Sequence, residues 1–254
     1  MAVYTNSPLA TCAVYSPNHS GQRTHAIDRI TPHCVVGQLD AKSIGAIFEP
    51  VSRQASSNYG IGKGGEIGLY VEEKNRSWCS SSNANDQRAV TIECASDTTD
   101  PYAMNSFVYT SLVNLCADIC KRNGKKKLLW IPDKDRALAY EPAADEMLLT
   151  VHRWFAAKSC PGDWLFNRLG DLAERVTRIL NPTAAAYVPT APSASSGIPG
   201  DGNAPHEWAQ NEVEWAIRAG VLRGSGNGTG YRLNEPITRE EAIVMLARAM
   251  GAVQ

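Results

Sequence analysis

Three residues far apart in the chain, His33, His152 and Cys160, are of the types that hold a borderline divalent ion. Imidazole and thiolate are the donors zinc prefers, and three protein donors with a fourth position open is the hydrolytic rather than the structural arrangement. Spacing alone leaves the question open. His33 lies more than a hundred residues before the other two, and histidines so placed are more often solvated or core-bonded than metal-bound. Of the other cysteines, Cys116 and Cys120 fall four apart on one helical face, but that face is apolar and suits inert buried thiols. Cys34 and Cys94 adjoin site candidates, and alternation along a strand is expected to turn them away. His19, His25 and His206 have no partner pattern. Trp78 and Asn83, in the polar run WCSSSNAN, read either as part of a saccharide or peptide groove or as plain loop.

The elements that must position these residues follow from patterning. His33 to Leu39 and Ala89 to Ala95 are rich in β-branched residues and predict strands, with His33 at the head of the first. Tyr59 to Val71 predicts a hairpin turning at Gly64 and Gly65. From Met104 to Asn123, apolar residues recur at three and four, giving an amphipathic helix stopped by Gly124. Leu128 to Ile131 and Leu148 to His152 read as strands or strand ends, with His152 at the end of its strand, and Asp163 to Leu180 reads as a closing helix. The fold class is therefore α/β, a mixed β-sheet flanked by helices, followed by a small all-α helix-loop-helix module.

Composition bounds the rest. With 43% hydrophobic and 20% charged residues over 254, the chain is an ordinary globular one. A net charge of -1 gives no pull toward nucleic acid or an anionic membrane. No apolar run approaches a membrane span, and Met1 to Ala10 lacks the basic and apolar regions of an export signal, so cytoplasmic synthesis is expected. Seven scattered cysteines do not make a disulfide framework. The Pro, Ala, Ser and Gly of residues 181–203 mark a linker between a body, 1–180, and a tail, 204–254.

TPHCVVG, AVTIECAS (89–96) and TVHRWFAAKSCPGDWL resemble the zinc-dependent N-acetylmuramoyl-L-alanine amidases, which include phage lysozyme-type amidases and animal peptidoglycan recognition proteins. The likeness spans about residues 25 to 180, and its most specific part is H-x5-K-x-C-P-G-D. It implies one Zn2+ held by His33, His152 and Cys160, Lys158 as oxyanion stabiliser, and Glu93 as general base in the manner of the phage branch. The implied reaction is hydrolysis of the amide between the lactyl group of N-acetylmuramic acid and L-alanine of the stem peptide, in peptidoglycan. Lysozyme-type members use a tyrosine before the hairpin. Here Ser57 stands at that place with Tyr59 two residues on, a departure that shifts the burden to Glu93. The same likeness also admits a peptidoglycan receptor without activity and an amidase of soluble anhydromuropeptides.

The tail, with its W-A…G-V-L-x-G run and ITRE segment, resembles one S-layer homology repeat. That implies wall targeting through a secondary cell-wall polymer, with Arg239 as candidate contact, and the thin core of so short a unit is expected to dock on a second copy of the chain or to pack on the body. Thr238 and Glu241 form a capping box for its second helix. The whole reads as a phage or prophage endolysin, made in the cytosol and acting on the wall after release.

Overall fold

The computed structural model describes residues 4–182 and, in the tail, positions 213, 216, 222, 244 and 245. The chain divides into two compact units, Met1–Ala186 and Tyr187–Gln254. In the first unit the elements begin β1 (Cys12–Ala13), β2 (His19–Gln22), β3 (Arg29–Cys34), α1 (Ala41–Ala46), β4 (Tyr59–Ile61), β5 (Ile67–Leu69) and β6 (Asn75–Ser77). They continue with α2 (Asn83–Arg88), β7 (Ala89–Cys94), α3 (Ser106–Arg122), β8 (Lys127–Leu129), α4 (Lys134–Ala139), β9 (Glu146–Leu149), α5 (Asp163–Phe166) and α6 (Leu169–Leu180).

Seven strands form one mixed sheet in the order β1-β5-β4-β7-β3-β9-β8, and β2 pairs with β6 in a separate ribbon. The strands from β4 through β8 run parallel, and β5 reverses against β4 through the predicted hairpin. Its turn uses Gly65 at φ 86°, a conformation that side chains with a Cβ resist.

The central strand β3 is buried along its whole length, but its side chains alternate Arg29, Thr31 and His33 with Ile30, Pro32 and Cys34. Successive strand side chains leave opposite faces, so the polar set shares one face and must find partners inside the protein. Thr31 and Thr150 share a hydrogen bond of 2.7 Å, and Asn85 joins them, donating to Thr31 at 3.0 Å and accepting from Thr150 at 3.0 Å.

Helix α3 opens on Asn105, whose side chain accepts from the Val108 N–H, and buries Leu112, Leu115, Cys116, Ile119 and Cys120. Each of the leucine and isoleucine side chains contributes about 1.5–3 kcal/mol by leaving water. It packs on α6 and on β4 and β7, while α6 also covers β8. Cys116 and Cys120 are therefore core residues.

Several boundaries differ from expectation. The strand carrying His33 starts at Arg29 and ends at Cys34, which puts His33 near its end instead of at its head. Pro32 is tolerated there because β9 pairs only as far as Ile30. His152 lies beyond β9 and opens a 3₁₀ turn, His152–Trp154. The closing helix is two helices, α5 and α6, because the Trp164 N–H is tied to the Pro101 carbonyl at 3.0 Å while α6 follows α3 and β8. The polar run after Trp78 holds helix α2. Residues 183–203 of the linker, His206, Thr238, Arg239 and Glu241 lie outside the described residues.

Candidate functional site

His33 and Glu93 stand opposite one another on neighbouring parallel strands, so their side chains leave the same face of the sheet. Both lie at the carboxyl ends of their strands, where open α/β sheets place their ligand crevices. His152 arrives from the turn just past β9. Cys160 arrives on a loop folded back over that turn: the Arg153 N–H donates to the Cys160 carbonyl at 3.1 Å, and the Arg153 guanidinium bonds the Ser159 carbonyl at 2.5 Å and Asp163 at 2.8 Å. Gly162 seats the loop. At φ 83° it passes so close to residues 101 and 102 that a Cβ would meet the Pro101 carbonyl oxygen and the Tyr102 Cβ at 2.7 Å each.

The structure thus brings His33, His152 and Cys160 together, one donor atom from each lying within 4.8 Å of the others. Cys160 Sγ is 3.2 Å from His33 Nδ1, and the two imidazole centroids are 5.1 Å apart. Donors around a tetrahedral zinc with bonds of about 2.0–2.3 Å sit roughly 3.3–3.6 Å from one another, so small side-chain rotations would close the set. His33 is 1% exposed, and neither its Nε2 nor Glu93 Oε2 has a hydrogen-bond partner. A buried carboxylate oxygen left open in this way fits a site built to receive a polar substrate, and the His33 nitrogen turned toward Cys160 is Nδ1. The residues present fit zinc.

The electrostatics point the same way. Burial, with the neighbouring His152, lowers His33 to about 3, which keeps its ring neutral, the state in which imidazole donates to a metal. Burial and then the charge of Lys158 lower His152 too. The Cys160 thiol is pushed up, first by its hydrogen bond with Cys34 and then by burial, so a metal would have to displace its proton. Glu93 is raised to about 7 by burial, offset in part by the Cys79 thiol and by Arg53. A carboxylate held near neutrality is suited to take up and release a proton.

Cys34 corrects one expectation. Its thiol lies against that of Cys160 instead of turning away, because β3 ends at Cys34 and the Cys160 loop reaches over that end. Cys94 does turn toward the core, near Cys116. Tyr59 belongs elsewhere: its hydroxyl donates to Glu73 at 2.7 Å and accepts from the Ser7 N–H at 2.7 Å. The buried Ser57 hydroxyl donates to the Tyr59 carbonyl. Lys158 is exposed on the loop beside His152. The Trp78 indole N–H bonds Ser20, Asn83 accepts from Arg76, and His19 and His25 make local bonds.

Two residues at the site escape sequence reasoning. Cys79 places its thiol 3.8 Å from Glu93 Oε1, and with His33 and Glu93 forms a second donor group within 4.8 Å. Ser81 bonds His152 Nε2 at 2.9 Å. Both sit in the polar run WCSSSNAN between β6 and α2, which suggests a groove or a loop but singles out neither residue.

The profile described as N-acetylmuramoyl-L-alanine amidase matches residues 23–163, and one described as S-layer homology domain matches residues 204–243. Among solved structures, a selenomethionine derivative of AmpD is similar at 20% identity over 65% of this chain and 96% of that one, with a TM-score of 0.46. The endolysin amidase LysCS from Clostridium intestinale is similar at 17% identity over 65% of this chain and 90% of that one, TM-score 0.40. Human PGRP-IBETAC, solved with a glycosamyl muramyl pentapeptide, is similar at 15% identity over 63% of this chain and 94% of that one, TM-score 0.42. No curated protein matches the chain.

Proposed function

Since the chain belongs to the N-acetylmuramoyl-L-alanine amidase family, we propose that it hydrolyses the amide between the lactyl group of N-acetylmuramic acid and L-alanine of peptidoglycan, with one zinc ion at His33, His152 and Cys160. The convergence of those three donors at the strand ends, beside a partly buried carboxyl, carries the reading. An ion held there supplies Lewis-acid polarisation of the carbonyl and water activation at neutral pH.

The chain's own residues do the remainder. Glu93 takes the proton of the attacking water and returns it to the departing amine of L-alanine. Its raised affinity for a proton is what lets it hold one between those two steps. Lys158, exposed on its loop, donates to the oxygen that becomes negative as the carbonyl turns tetrahedral, a contact typically worth about a hundredfold to a thousandfold in turnover. The neutral rings of His33 and His152 contribute donation without competing protons.

The S-layer homology match supports wall attachment through a secondary cell-wall polymer, with Arg239 as the contact to test first. In this reading the protein is a bacteriolytic endolysin, synthesised in the cytosol and acting on the wall once released. No helix among the described residues is long and apolar enough to cross a membrane.

The test is digestion of purified walls by the full chain, with mass spectrometry of the products. Free L-alanine amino termini on intact glycan strands are expected, with loss of activity on chelation and its return with zinc. New reducing sugars, or turnover of soluble muropeptides with walls left untouched, would overturn the assignment. Lysis of producing cells only when a membrane pore is co-expressed is the outcome expected of an endolysin.

A further inference from the structure

We propose that Ser81 is a positioning residue for His152, its hydroxyl fixing the orientation and tautomer of the ring so that Nδ1 is the nitrogen offered to the ion. The inference rests on the zinc reading above.

Ser81 Oγ lies 2.9 Å from His152 Nε2. A neutral imidazole carries its single proton on one nitrogen, and the hydrogen bond made by that nitrogen decides which lone pair is left for a metal. With Nε2–H donated to the serine oxygen, Nδ1 is the free donor. The same nitrogen of His33 is the one that faces Cys160, at 3.2 Å, so both rings would meet the ion through equivalent atoms.

The backbone around Ser81 is held from both sides. Asp86 accepts from the Cys79 N–H at 3.1 Å and from the Ser80 N–H at 3.2 Å. Ser82 caps α2 by accepting from the Asn85 N–H at 3.3 Å. Between these anchors Ser81 adopts φ 63°, a left-handed conformation that a residue with a Cβ adopts at a cost. Glycine would take that conformation freely. The residue that stands there is a serine, and its hydroxyl reaches His152.

Because glycine suits the backbone, Ser81→Gly separates the two roles. In the full chain, Ser81→Gly should leave the metal-free protein as stable as wild type or more so, yet bind zinc roughly tenfold more weakly in a chelator competition. That is the low end of the usual effect of losing a second partner of a metal-bound histidine, since water can reach this exposed site. Ser81→Ala should lose the same affinity while also losing stability. Nitrogen-15 shifts of His152 in the metal-free protein should report the Nε2–H form in wild type and a mixture in Ser81→Gly. Equal zinc affinity and an unchanged tautomer in Ser81→Gly would overturn the role of Ser81 alone. A wild-type chain that takes up no zinc would instead remove the metal reading on which it stands.

Discussion

Burial acts on Glu93 and His33 in opposite directions, raising the carboxyl to about 7 and lowering the imidazole to about 3. The consequence for the metal-free protein can be worked out from linkage. Between 4.5 and about 7 the folded protein keeps a Glu93 proton that the unfolded chain has lost, so this residue's contribution to stability falls as pH rises through that window. Between about 3 and 6.5 the unfolded chain binds a His33 proton that the folded protein refuses, so that contribution rises with pH and is complete above 6.5. Metal-free Glu93→Gln is therefore predicted to be more stable than wild type above pH 7, with the gain vanishing below pH 4.5, as read from urea midpoints. No gain at high pH would show that the carboxyl is better solvated than its surroundings imply. For catalysis, the same variant should lose about a hundredfold to ten-thousandfold in turnover while keeping its zinc. Loss of zinc along with activity would point to the alternative donor group of His33, Cys79 and Glu93.

At the scale of elements, the site depends on how two loops are clamped to strand ends. Gly162 is the tightest of these joints. Adding a Cβ there meets a backbone oxygen at 2.7 Å and forces a side chain into φ 83°. Gly162→Ala should cost about 1–3 kcal/mol by thermal unfolding and also weaken zinc binding, because the loop that shifts carries Cys160. Unchanged stability would mean that the loop has room to slide. The other clamp is the buried lattice of Thr31, Asn85 and Thr150, which lies two residues upstream of both histidines. Asn85→Ala leaves both hydroxyls short of a partner and should destabilise the fold by about 1–3 kcal/mol. A smaller loss would indicate that water enters in its place. Helix α3 and the hairpin were legible in sequence because periodicity and glycine placement are local signals. The lattice was not, since Thr31 and Thr150 are 119 residues apart and nothing in either neighbourhood announces the other.

At the scale of the molecule, the amidase unit and the tail are separate compact units, and the amidase unit has its own apolar core. A chain ending at Ala186 should therefore hydrolyse a soluble muramyl peptide within about twofold of the full chain. Release from intact walls should fall by roughly tenfold or more, the loss expected when a tethering contact no longer raises local concentration. Equal loss on both substrates would show that the tail supports the fold instead of the targeting.

The local chemistry of H-x5-K-x-C-P-G-D, the period of α3, the glycine turn of the hairpin and the composition of the linker were all available from the amino-acid order, because each depends on neighbours within a few residues. That His33 ends its strand in register with Glu93, that Cys34 meets Cys160, that Tyr59 turns to Glu73 and that Ser81 reaches His152 were decided only by tertiary structure. The physical reason is that strand register, loop docking and burial are set by packing between segments remote in sequence. Donor spacing and the protonation of a buried group depend on that packing as well as on residue type.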